Sequence, residues 1–205
     1  GSASTFVTEA DITPYLFDAA RLNTTILTHL GACDPSLGRA ISGDPSAIVE
    51  VGQASDGVLY VLEASIIQRS VDVTQTMIRA RHSLWPFIAF GWESIQFQAL
   101  AGEQLGAQAQ AAFEYLPVVP LSQTHQKVAR IWGLQPFLKN GTIRFRRDWR
   151  TAYPELMYQL FNFPLVHDDG PDALQMCVRV AAMLEQESPP DEILEPLEEG
   201  VFSLP

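Results

Sequence analysis

The sequence predicts an α/β fold on a mixed sheet: an antiparallel three-strand meander, then parallel strands, with helices flanking both. Three observations carry that reading. Three β-rich runs follow one another, separated by turn residues. Beyond them, short apolar runs alternate with helical stretches. The chain then closes on a helix with one continuous apolar face. At 205 residues, 47% apolar and 18% charged, it is long enough to bury one ordinary core.

Residues 1–24 begin with "GSAS", read as a tag remnant, and continue as a weakly periodic linker or entry segment; the natural chain is expected to begin further upstream. "TILTHLGACD" is strand-like and ends in Asp34-Pro35, a chain-turning pair. "SAIVEVGQ", the turn "ASDG" and "VLYVLEASIIQ" complete the meander. "VDVTQTMIRARHSL" is helical up to Pro86, and "PFIAFGWE" is apolar enough for a strand buried on both faces. "IQFQALAGEQLGAQAQAAFEY" spaces Leu105, Ala109 and Phe113 by four, a helical period. "LPVVPL" reads as a second buried strand, "HQKVARIWGLQPFL" as one helix and "GTIRF" as a short edge strand. "WRTAYPELMYQLFNF" is helical in its second half, with Pro154 in the first turn. The closing helix carries Ala173, Cys177, Val180, Ala181 and Leu184 on one face. The domain is drawn over residues 25–187, with 188–205 as a Pro/Glu-rich acidic tail. Meander, alternating strands and helices, closing helix: this is the order of a ribonuclease H-like α/β fold. A nucleotide-binding parallel fold is excluded, since neither G-x-x-x-x-G-K-[ST] nor G-x-G-x-x-G occurs.

A net charge of −11 argues against a nucleic-acid partner on its face. Its distribution qualifies that. Seven acids and no base fall between Glu185 and Pro205, and without them the rest carries −4. Seven of the 13 basic residues lie in "KVARIWGLQPFLKNGTIRFRRDWR". No apolar run approaches the ~20 residues that span a bilayer, so a soluble chain without a membrane partner is expected. Cys33 and Cys177 lack metal-ligand spacing and read as buried free thiols.

The acids have definite stations on this order. Asp34 ends the first strand, Glu93 ends the buried "FIAFGWE" strand, and "HDDGPD" places Asp168, Asp169 and Asp172 at the start of the closing helix. An acidic first turn alone is ordinary capping and dipole chemistry. Three acidic stations that one topology can bring together point instead to divalent cations. Mg²⁺ or Mn²⁺ prefers hard oxygen ligands, and two such ions about 4 Å apart clamp the attacking and leaving oxygens of a phosphoryl displacement. Asp168 and Asp172 share a helical face, and Asp169 and Asp172 are also close, so spacing leaves open which of them coordinate.

Four ordered motifs give the chain a family resemblance. "GACDPSLGRAISGDPSAIVEVGQASDGVLYVLEA", "AFGWESIQFQ", "KVARIWGLQPFLKNGTIRF" and "FPLVHDDGPDALQMCVRVA" resemble, in this order, the C-terminal nuclease domain of tailed-bacteriophage large terminases. The resemblance implies a divalent-metal-dependent endonuclease, with two Mg²⁺ or Mn²⁺ ions, that cuts concatemeric double-stranded viral DNA during genome packaging. It implies Asp34, Glu93 and Asp168 as catalytic metal ligands, with Asp169 a further ligand and Asp172 supplementary. Asp44 matches a loop aspartate of the family; His167, which precedes the acid pair, is read as a contact to the scissile phosphate or as a structural histidine. Lys127 and Arg130 match a K-x-x-R helix and are read with it as DNA contacts; apart from the match, Arg144, Arg146, Arg147 and Arg150 are read as a hairpin edge that meets backbone phosphate. It also implies partners: an ATPase domain, of which this chain shows no Walker lysine, a small terminase subunit and a portal. The host-cell cytoplasm would be the place of action. The acidic tail supports an alternative, a catalytically latent module that docks on the portal or is inhibited by its own tail. His29, His82 and His125 show no ligand spacing and read as structural or surface residues. A serine hydrolase finds no G-x-S-x-G.

Overall fold

The computed structural model describes residues 5–35, 45–93, 96–111, 115–122 and 126–187; Asp44, Phe113, His125 and the acidic tail 188–205 lie outside them. The first helix, α1 (Glu9–Ile12), is started by a capping box: Thr8 accepts from the Asp11 N–H and Asp11 returns the bond to Thr8. Expected only as an entry segment, this stretch lends Phe6, Val7 and Ile12 to the main core. Phe6 meets Trp132 edge-on at 5.2 Å and Phe163 at 5.0 Å. Short turns carry no period, so these core residues left no pattern to read.

The sheet comprises β1 (Thr28–Asp34), β2 (Ser46–Gln53), β3 (Leu59–Ile67), β4 (Ala89–Glu93), β5 (Val118–Leu121) and β6 (Ile143–Arg144), in the spatial order β5-β4-β1-β2-β3-β6. The first three pair antiparallel, β4 lies parallel to β1, β5 parallel to β4, and β6 parallel to β3. The predicted mixed sheet is thus present. Helix α2 (Val71–Leu84) joins β3 to β4, α3 (Gln96–Ala111) joins β4 to β5, and α4 (Lys127–Trp132) and α5 (Gln135–Lys139) lead to β6. The chain ends in α6 (Trp149–Ala152), α7 (Pro154–Asn162) and α8 (Asp169–Glu187). Among the described residues, no helix is long and apolar enough to cross a membrane.

Four details depart from the sequence reading. "LPVVPL" is an edge strand, where Pro120 is exposed and has no N–H to offer a further neighbour. The single helix expected over 125–138 breaks at Gly133–Leu134 and restarts with Pro136 in its first turn, where a missing N–H costs nothing. The first half of "WRTAYPELMYQLFNF" is also helical. Its two helices part at Tyr153, the non-helical residue before Pro154; the Tyr153 hydroxyl accepts from the Arg146 N–H and donates to the Val61 carbonyl. Finally, the basic stretch pairs parallel to β3 at β6 and does not form a hairpin there.

Each strand alternates its side chains between two cores. Leu30, Ala32, Ala47, Val49 and Ala89 face α8 in the larger core, while Cys33, Ile48, Phe90 and Trp92 face the smaller core with Ile78 of α2 and Leu105 of α3. Helix α8 crosses β1, β2 and β4. It comes close because Gly91 has no Cβ: one placed there would stand 2.9 Å from Val180 Cγ2 and 3.0 Å from Leu121 Cδ1. Gly91→Val is therefore expected to wedge α8 from β4 and to cost about 1–3 kcal/mol by overpacking. Urea unfolding checks it; an unchanged midpoint would mean that the helix does not seat on that strand as described.

Candidate metal centre

The parallel register pairs Cys33 with Trp92, so the next residues, Asp34 and Glu93, stand side by side at the C-terminal ends of β1 and β4. Period-two alternation turns Asp34 to the face of Leu30 and Ala32, and Glu93 to the face of Ala89, the side covered by α8. The first turn of α8 is held against that face. The Gly170 N–H donates to Gln159 Oε1 at 2.9 Å, and a Cβ on Gly170 would stand 2.5 Å from Ile66 Cδ1. This close approach is why "HDDGPD" carries a glycine. It drives the Asp172 side chain to 0% exposure. Asp34, Glu93 and Asp172 each offer an oxygen, and the three oxygens lie within 4.8 Å of one another.

Repulsion and burial both disfavour three charged carboxylates here. Burial pushes the Asp34 carboxyl up to about 7, helped by a side-chain hydrogen bond to Glu93 and opposed by Lys127. A bond between two carboxyl groups requires a shared proton. Burial also raises Asp169 to about 6 and raises Asp172, again against the pull of Lys127. Two cations offset the remaining charge. Lys127 Nζ stands 3.1 Å from Asp34 Oδ2, 3.0 Å from Asp168 Oδ1, 3.6 Å from Asp172 Oδ2 and 3.9 Å from Asp169 Oδ1. Burial opposes the charge of this lysine, but the carboxylates outweigh it and hold the ammonium protonated well beyond its ordinary range. Arg130 Nη2 reaches both oxygens of Asp172, at 2.9 and 3.3 Å. Asp169 Oδ2 is buried without a hydrogen-bond partner. An all-oxygen set with an unsatisfied buried carboxylate oxygen at its edge suits a hard divalent cation.

The sequence-predicted residues divide accordingly. Asp34 and Glu93 meet as expected. The third member of the triad is Asp172, which the sequence placed as supplementary, while Asp168, expected as a main ligand, is partly exposed and pairs with Lys127. Asp169 lies beside the triad and His167 is exposed next to it. Lys127 and Arg130, expected to face phosphate, are turned onto the carboxylates. Arg144 is not brought to the cluster: its register row runs through Tyr60, Gly52 and His29, five residues before Asp34 along β1. Arg146 is engaged by Glu63 and Asp148, Arg147 Nη2 donates to the Leu16 carbonyl, and Arg150 pairs with Glu9. One basic residue near the site was not anticipated. Arg179 is close enough to Asp172 and Arg130 to feel both, and donates to the Ser122 carbonyl at 3.2 Å. Its spacing of seven from Asp172, two helical turns, was the available signal. His29 is structural, as expected: it is sandwiched between Trp85 and Phe87 and bonded to Glu50. His82 accepts from the Phe87 N–H. Both cysteines are buried and free.

The raised acids fix a pH dependence. Asp34 and Asp169 bind protons more tightly folded than unfolded, where their ordinary value is 3.8. Their contribution to stability is therefore fully present below about pH 4 and is lost as pH rises through about 6 to 7. In chelator, the melting temperature is expected to fall by several degrees between about pH 5.5 and pH 8, at roughly 2–4 °C per kcal/mol for a domain of this size. Asp34→Asn should flatten that slope. A parent protein whose melting temperature is level or rising across this window would contradict the crowding described.

No protein-family model and no curated protein matches the chain. Its fold has solved counterparts. The human cytomegalovirus terminase nuclease domain superposes with a TM-score of 0.62 at 14% identity, covering 86% of this chain and 97% of that one. The large terminase nuclease of the thermophilic phage G20c, with bound cobalt, gives 0.61 at 14% identity over 87% and 98%. The large terminase of bacteriophage HK97 gives 0.61 at 15% identity; the match covers 86% of this chain but only 43% of that longer protein. The chain therefore has the ribonuclease H-like fold of the terminase nuclease domains.

Proposed function

We propose that this domain is a divalent-metal-dependent endonuclease that hydrolyses double-stranded DNA, acting in viral genome packaging. The observation that carries this reading is the buried triad Asp34–Glu93–Asp172 at the junction of β1, β4 and α8, with the unpartnered Asp169 oxygen at its edge. Asp34, Glu93 and Asp172 would hold one Mg²⁺ or Mn²⁺ ion, and Asp168 and Asp169 would complete the site for a second. Two such ions supply activated water and charge stabilisation at the scissile phosphate.

The chain's own groups do the rest. The strand ends fix Asp34 and Glu93, and Arg130 pins Asp172 by touching both its oxygens, so that the ligands need little reorganisation. The buried floor of the site excludes water, while Asp168 and His167 lie on its open rim, where a DNA backbone would approach. As the large-terminase resemblance implies, an ATPase motor, a small subunit and a portal would be the domain's working partners.

Incubation of supercoiled plasmid with the protein and Mn²⁺ or Mg²⁺ is expected to give nicked and linear forms. Asp172→Asn should reduce the rate by at least about a hundredfold, the loss expected when a charged ligand of a catalytic metal is neutralised. Asp168→Asn, outside the triad, should keep a measurable fraction of it. A folded Asp172→Asn protein that cuts like the parent would remove Asp172 from the centre.

A further inference from the structure

Lys127 stands out among the basic residues because it pairs with four carboxylates at once, two of them in the triad. Helix α4 does not place it there. Lys127 is the first residue of that helix, at the positive end of the backbone dipole, where a cation is disfavoured, and Gln126 provides no side-chain cap. What holds the ammonium is the acid cluster itself. Arg130, one turn further on, differs in kind. Its guanidinium is almost fully enclosed and grips Asp172 by both oxygens, whereas the Lys127 side chain is 36% exposed on a flexible stem. One cation is fixed in the wall, and the other has a way out.

Resting on the metal-centre reading above, we propose that Lys127 is an exchangeable internal cation: it occupies the carboxylate cluster in the metal-free protein and is displaced when a divalent ion takes the same residues. The ammonium and the ion seek the same oxygens, and both cannot stand among them. The lysine thus closes the site until an ion enters, and it sets a threshold for metal entry, because its contacts with Asp34 and Asp172 must be given up first.

Lys127→Met preserves the stem and removes the charge. By Mn²⁺ calorimetric titration it is expected to bind the ion about tenfold more tightly than the parent, the effect of one nearby opposite charge no longer competing, and to melt at a lower temperature in chelator. Arg179→Gln removes a nearby charge that makes no ion pair with the triad and should leave Mn²⁺ affinity within about twofold, which separates direct competition from the general field. Mn²⁺ binding by Lys127→Met no tighter than by the parent would overturn the exchange while leaving the metal centre standing. A parent that takes up no Mn²⁺ would overturn both. A second measurement uses the unmodified protein and stands even if the variant does not fold. The chain has only two lysines, Lys127 and the exposed Lys139. Mn²⁺ should accelerate acetylation of Lys127 and leave Lys139 unchanged, as read by mass spectrometry; no acceleration at Lys127 contradicts its displacement.

Discussion

Carboxylates brought together out of water repel one another, and the ends of β1, β4 and the start of α8 can meet only if that repulsion is offset. Much of the structure around the junction reads as the means of offsetting it. Burial and Glu93 raise the proton affinity of Asp34, Lys127 reaches into the cluster, Arg130 grips Asp172, and the first turn of a 19-residue helix faces the acids with its positive end. None of these is needed for the sheet to form. Together they offset the charge of the acids over which α8 closes.

The same constraint explains why the backbone is tight at particular places. Asp172 is fully buried because α8 lies flat on the sheet, and it lies flat because Gly91 and Gly170 leave no side chain in the way. A helix standing one methyl group further off would leave Asp172 nearer to solvent and separate it from the strand-end acids. Gln159 completes the arrangement from the opposite side by receiving the Gly170 N–H, so that the free donors of the helix start are partly satisfied by α7.

Much of this was legible in the sequence, and the exceptions have physical causes. The meander and the parallel strands were visible because apolar runs and turn residues alternate cleanly, and period-two alternation sends Asp34 and Glu93 to one face. Which aspartate of "HDDGPD" stands beside Asp34 and Glu93 was left open, because residues 170–174 are buried on every side. An amphipathic pattern ranks positions only when one face is wet, so "DDGPD" did not reveal which aspartate points at the sheet. The roles of Lys127 and Arg130 were hidden for a different reason. Their partners lie 93 and 42 residues away in the chain, and a K-x-x-R spacing describes a helix face without saying what that face meets. Arg146 illustrates the converse. Its place in a basic stretch suggested a phosphate contact, yet Glu63 and Asp148 engage it within the fold.

Asp34, Glu93 and Asp172, gathered out of water with Lys127 and Arg130 against them, are the residues on which the proposed metal centre rests. The most direct test of that claim is anomalous scattering from crystals of the protein grown with Mn²⁺. The account predicts a strong peak bounded by Asp34, Glu93 and Asp172, with Lys127 Nζ withdrawn from the 3.1 Å contact with Asp34. Crystals grown in millimolar Mn²⁺ that show no peak there, with the lysine still seated among the carboxylates, would contradict it.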